Sequence, residues 1–99
     1  MGKVQPLSRS EVDDALKGMK DWRLENDSLK AVFTFKDFKN AFDFMRKVAQ
    51  IAEEMNHHPA WSNVYNKVTF ALYTHDAGNK VSEKDVALAR RVSGLLQAS

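Results

Sequence analysis

Apolar residues recur at helical spacing in three stretches of the chain and alternate in the stretches between them. Val12, Ala15, Leu16 and Met19 mark the first helix. Ser8 and Glu11 open it at capping-box spacing, with Leu7 and Val12 placed as a hydrophobic staple. Gly18 weakens its end, so the helix is expected to stop near Met19. Trp22-Arg23-Leu24 reads as a short strand, Glu25 to Ser28 as a turn, and Leu29 to Phe35 as the returning strand. In that strand Leu29, Ala31, Phe33 and Phe35 share one face, and Lys30, Val32 and Thr34 the other.

Asp37 is a good N-cap for the longest helix, Phe38 to about Asn56. Its polar positions fall within an arc of roughly 140°, and the apolar ones fill roughly the opposite 180°. A helix lying on one sheet needs an apolar stripe of only about 100°. The excess, chiefly Phe44 and Ile51, asks for a second partner: another helix of the same chain, which the pattern favours, or a neighbouring subunit. Pro59 ends the helix and makes His58 the first extended residue. From Trp61 to His75 the pattern is β-like, with Val68, Phe70 and Leu72 alternating with Thr69, Ala71 and Tyr73. The segment is too long for one strand, and Asn66-Lys67 is the expected turn between two antiparallel strands. Asp76 to Lys80 is loop. Ser82 caps a last helix, with Asp85 in the capping-box position and Val86, Ala89, Val92 and Leu96 on one face. The order α-β-β-α-β-β-α predicts an α+β fold: a four-stranded antiparallel sheet with three helices packed on one face.

Composition narrows the function classes. The 99 residues, 43% apolar and 28% charged, suit a single domain spanning residues 1–99. Fifteen basic against thirteen acidic residues leave a net charge of +2, with the signs interspersed. That argues against a dedicated nucleic-acid or anionic-membrane surface. The absence of Cys excludes disulfides, thiolate metal sites and a Cys nucleophile. No apolar run approaches the ~20 residues of a membrane span. The polar start, Met-Gly-Lys-Val-Gln-Pro, does not read as a secretory signal, so the expected location is the cytoplasm.

All three histidines fall at element ends. His57 and His58 stand where the long helix stops, and His75 where the last strand stops. Imidazole donates and accepts protons near neutral pH. Three of them, with no Gly-rich phosphate loop and no Gly-x-Ser-x-Gly elbow, point to proton transfer rather than covalent catalysis. Taken singly, each also fits the plain role of a partner for a helix C-terminus. The case for a site rests on the three together with Trp61 and Tyr65, each of which could flank a planar ligand or fill core. Metal binding ranks lower. His-Glu-x-x-His is missing, and adjacent histidines do not share a helix face. Glu53, one turn before His57, could orient that imidazole, hold a substrate donor, or be a solvated surface residue. Asp85 has its ordinary reading as the acid of a capping box, and Trp22 reads as core.

The run Glu53-Glu54-Met55-Asn56-His57-His58-Pro59, then Trp61, Asn63 to Val68, Thr74-His75 and Asp85, resembles the pterin-4a-carbinolamine dehydratases. With the flanking elements the resemblance covers nearly the whole chain. It implies the α+β fold above, in a homodimer or homotetramer. It implies loss of water from 4a-hydroxytetrahydropterin to give quinonoid dihydropterin, which recycles the tetrahydrobiopterin used by aromatic amino acid hydroxylases. On the same footing His57, His58 and His75 are catalytic. Glu53, Asn56, Trp61, Tyr73, Thr74, Asp76 and Asp85 surround a pterin that is substrate rather than cofactor, with no metal. Some animal relatives also bind a homeodomain transcription factor and promote its dimerisation, a protein-binding role on the same fold. Two departures stand out. The loop from Asp76 to Val81 varies in length in the family, and Lys84 stands where Arg is common and cannot make the same bidentate contact.

Overall fold

The computed structural model describes residues 4–97. Residues 1–3, which entered the expectation about a secretory signal, and residues 98–99 lie outside the described residues. The elements follow the expected order. They are α1 (Arg9–Leu16), β1 (Arg23–Glu25), β2 (Ser28–Thr34), α2 (Phe38–Met55), β3 (Ala60–Val64), β4 (Lys67–Leu72) and α3 (Glu83–Gln97), with a 3-10 turn at His75–Ala77. The strands form one antiparallel sheet in the order β1-β2-β4-β3.

The sheet's two faces follow from its alternation. Leu29, Ala31 and Phe33 of β2 stand opposite Leu72, Phe70 and Val68 of β4, and all six are buried under the helices. Val32, one residue out of phase, is exposed on the other face. Trp22 packs its indole on Phe33 and Phe70 with ring centroids 5.8 and 5.6 Å away. Its one polar atom, Nε1, donates to Ser93 Oγ of α3 at 2.8 Å, so the indole is buried without an unmade hydrogen bond.

Several boundaries differ from the sequence reading: β1 and β2 each shift by one residue, and β4 ends at Leu72 rather than at His75, which opens the 3-10 turn. The capping box of Ser8 and Glu11 forms, with hydrogen bonds of 2.8 and 3.1 Å, but α1 stops at Leu16 rather than near Met19. Met19 is still buried, in a turn whose N–H reaches the Leu16 carbonyl. The first hairpin closes on Asn26 and Asp27 alone, both at positive φ, as a tight two-residue turn of the primed type requires. The second hairpin turns at Tyr65-Asn66, one residue before the expected Asn66-Lys67, with Tyr65 at φ 50°. Two asparagines set that register. Asn63 Nδ2 donates to the carbonyls of Tyr65 and Lys67, and Asn66 Nδ2 donates to the Phe35 carbonyl.

The broad apolar face of α2 is explained within the chain. Phe44 is buried against Phe33, Phe35 and Phe70, and Ile51 belongs to the same core. The second partner is α3, which packs beside α2. Phe44 and Ile51 therefore do not form a face for a neighbouring subunit. The large apolar residues of α2 left exposed are Phe38 and Phe42, whose rings lie against each other at 5.7 Å.

Candidate active site

The site begins with a helix stop. Asn56 takes the left-handed conformation (φ 51°, ψ 42°) at the C-cap of α2, and its N–H returns to the carbonyls of Ala52 and Glu53. Asn tolerates that region better than most residues. The reversal takes His57 off the helical progression. Instead of lying above Glu53, its ring turns inward and becomes 9% exposed, while His58 points outward. Glu53 accordingly pairs with His58, Oε2 to Nε2 at 2.6 Å, and not with His57.

His57 meets Asp85 instead. Its Nε2 lies 2.6 Å from Asp85 Oδ1, and the carboxylate is fully buried. The other oxygen, Oδ2, accepts from Thr74 Oγ1 at 2.7 Å and from the Ser82 backbone N–H at 2.9 Å. An ionised carboxylate only accepts, so His57 carries its proton on Nε2. Among the described residues no buried side-chain nitrogen or oxygen lacks a partner. The remaining ring nitrogen, Nδ1, is therefore not sealed from solvent, and His57 is one of the residues that line an open cavity.

That cavity measures about 430 Å³, within the range of small-molecule sites. Of the residues expected from the sequence, His57, His58, His75, Asn56, Tyr73, Thr74 and Asp76 line it together. His75 opens the 3-10 turn after β4, strongly exposed, with Nδ1 3.5 Å from Asp76 Oδ1. Asp85 stands behind His57 and Glu53 behind His58, neither in the wall itself. Trp61 is not brought to the site. Its indole packs on Phe70, centroids 5.7 Å apart, because position 61 shares the inward face of β3 and pairs with Phe70 in the sheet register. Tyr65 is exposed at the hairpin turn and does not line the cavity either.

The sequence reading missed Pro59 and Ala60 as wall residues, and noted Lys84 only as a departure from a pattern. It also read Ser82 as a cap alone, whereas Ser82 is bonded into the Asp85 cluster. Among the described residues, no three His, Asp or Glu side chains converge in the manner of a metal site.

Fold and cavity together define a small α+β domain with a cavity lined by three histidines. The Pterin 4 alpha carbinolamine dehydratase family description matches residues 5–95. A protein of Opitutus terrae, provisionally named a pterin-4-alpha-carbinolamine dehydratase, is 47% identical over 86% of this chain and 88% of its own. One of Rhizorhabdus wittichii with the same provisional name is 45% identical over 95% and 98%. The crystal structure of a "transcriptional coactivator/pterin dehydratase" from Brucella melitensis superposes with a TM-score of 0.86 at 38% identity, covering 91% of this chain and 97% of that one. The chain belongs to the pterin-4a-carbinolamine dehydratase family.

Proposed function

We propose that this protein removes water from a 4a-hydroxytetrahydropterin, using its histidines as acid and base. Family membership supports the reaction class. The observation that carries the chemistry is one cavity wall holding three imidazoles, one of them backed by a buried carboxylate.

In the reaction the carbon–oxygen bond at position 4a breaks and the hydroxyl leaves as water after taking a proton. The ring N–H loses its proton, and the electron pair left behind forms the C=N bond of the quinonoid dihydropterin. No electron is gained or lost, so the reaction needs no redox cofactor. His57 is the base. Asp85 holds the proton on Nε2, leaves the Nδ1 lone pair facing the cavity, and stabilises the imidazolium that forms. The acid is one of the two exposed histidines, His58 held by Glu53 or His75 beside Asp76. Tyr73, Asn56 and Lys84 offer hydrogen bonds to the polar edge of the pterin. The product is the form from which tetrahydrobiopterin is regenerated for aromatic amino acid hydroxylases, in the cytoplasm and in a homo-oligomer.

The test is spectrophotometric turnover of 4a-hydroxytetrahydropterin by wild type and by His57→Ala, His58→Ala and His75→Ala, each checked for fold by circular dichroism. Loss of a general acid or base lowers kcat by about 10²- to 10⁴-fold. The largest losses are expected at His57 and His75. Near-normal turnover in all three folded variants refutes the acid–base assignment. Activity should persist after metal chelation. Chelator-sensitive activity restored by one metal would reject the metal-free mechanism.

A second reading, a protein-binding module for a transcription factor, rests on the description of the Brucella protein as a coactivator. Pull-down with such a factor tests it independently of turnover.

A further inference from the structure

The cluster behind His57 continues beyond Asp85. Thr74 Oγ1 and Ser82 Oγ lie 2.6 Å apart, and Ser82 Oγ also accepts from the Lys84 backbone N–H at 3.2 Å. Thr74 and Ser82 are almost wholly buried, and neither is required by the pattern that builds the core. The direction of each bond can be worked out. A threonine hydroxyl has one proton, and Thr74 gives it to the Asp85 carboxylate, which can only accept. Thr74 Oγ1 must then accept from Ser82, so the Ser82 proton is committed in turn. Ser82 Oγ is left as acceptor for Lys84 N–H, one of the free donors in the first turn of α3. The result is a one-way chain: Lys84 N–H to Ser82, Ser82 to Thr74, Thr74 to Asp85, and His57 donating to the other oxygen of Asp85.

We infer that the Ser82 and Thr74 hydroxyls are positioning residues that set the basicity of His57 through Asp85. The inference rests on the dehydratase reading for its consequence in catalysis, but not for its consequence on the ring itself. Donors on Oδ2 draw negative charge away from Oδ1, the oxygen that faces His57, and each donor in the chain polarises the next. They also fix the plane of the carboxylate, and with it the direction of the ring. With the chain cut, charge returns to Oδ1 and the Asp85–His57 pair holds an added proton more tightly. A base that is protonated more easily is available only at higher pH. The acid limb of the activity profile therefore moves upward. Glu53 and His58 at the end of α2, Tyr73, His75 and Asp76 after β4, and Lys84 on α3 also face this region. They are common to wild type and variants, so the difference between them reads the chain.

Ser82→Ala and Thr74→Val cut the chain at different links, and Thr74→Ser keeps the hydroxyl. Two measurements are made on folded protein. The first is the pH profile of kcat/KM, with kcat and KM separated. The second is the titration of the His57 side-chain ¹⁵N signals by NMR, which needs no substrate. In both cut variants the acid limb and the His57 titration midpoint should move up by about 0.4 to 1 pH unit, the equivalent of one hydrogen bond. In Ser82→Ala, whose side chain does not line the cavity, kcat at neutral pH should fall about two- to tenfold with KM little changed. Thr74→Ser, which keeps the hydroxyl donor to Asp85, should leave the His57 NMR titration where wild type has it. An unmoved His57 titration in both cut variants overturns the proposal, even if stability drops, because a purely structural cluster lowers stability without moving the ring. Absence of wild-type turnover removes the dehydratase reading and leaves the NMR titration to judge the chain by itself. Should Ser82→Ala not fold, Thr74→Val against Thr74→Ser decides alone.

Discussion

His57 and Asp85 stand 28 residues apart in the chain and 2.6 Å apart in the structure. The left-handed turn at Asn56 aims the ring, and the first turn of α3 supplies the carboxylate. Each partner also has a local explanation, one as the end of a helix and the other as the acid of a cap. The role proposed for His57 as base depends on their meeting, which neither local explanation contains.

Asp85→Asn tests that role. The amide keeps the size of the carboxylate but can present an N–H to His57, which favours the tautomer with its proton on Nδ1. The base then points a proton, not a lone pair, into the cavity. A loss of about 10²- to 10⁴-fold in kcat is expected, with KM changed far less. Stability should fall by about 1–3 kcal/mol, because the bonds from Thr74, the Ser82 N–H and His57 lose their charged partner. Denaturant titration and steady-state kinetics separate the two effects. Wild-type kcat in a folded Asp85→Asn protein would falsify the assignment of Asp85.

Glu25 offers a pH prediction remote from the site. The Lys30 ammonium beside it, aided by the charge of Arg23, holds its carboxyl below the usual carboxylate range. A depressed carboxyl contributes stability above its unfolded-state value and loses that contribution as pH falls through the folded value. The group is solvent-exposed, so the effect is small and screened by salt. Carboxyl NMR should find Glu25 titrating lower in wild type than in Lys30→Met. Equal midpoints in the two proteins would show that the pair does not form in solution.

How much was legible in the sequence depended on the range of each interaction. The capping box at Ser8, the N-cap at Asp37 and the alternation of β2 and β4 are local, and each appears where its pattern put it. The four-stranded sheet under three helices followed from the order of those elements. The turn at Tyr65-Asn66 was misplaced by one residue because side-chain bonds from Asn63 and Asn66 select it. At the site, the three histidines were legible as a group because ends of elements converge on one edge of the fold. The pairings were not. Spacing of four put Glu53 under His57 only if the helix continued, and Asn56 ended it. Nothing local tied Thr74 to Ser82 and Asp85 across the intervening loop.

Trp61 is the residue whose placement most changed its expected role. An indole beside two histidines suggested a platform for a planar ring, yet it packs on Phe70 at the margin of the core. Trp61→Phe should therefore act on stability. It should lower unfolding free energy by about 1 kcal/mol and leave KM for the pterin within about twofold of wild type. A KM raised tenfold or more in a protein of unchanged stability would return Trp61 to the binding site.

Glu53 gives the sharpest test of local geometry. Both Glu53 and His58 are largely exposed, so their 2.6 Å contact carries little free energy, about 0.2–1 kcal/mol. Its value lies in direction, because it fixes which nitrogen of His58 faces the carboxylate. Glu53→Gln should reduce kcat by no more than about fivefold at neutral pH. The informative measurement is the double variant. If Glu53 acts through His58, then Glu53→Gln should add nothing to the loss already caused by His58→Ala, while its effect should multiply with that of His57→Ala. The opposite pattern, additive with His58→Ala and silent in His57→Ala, would place Glu53 under His57 as helical spacing first suggested.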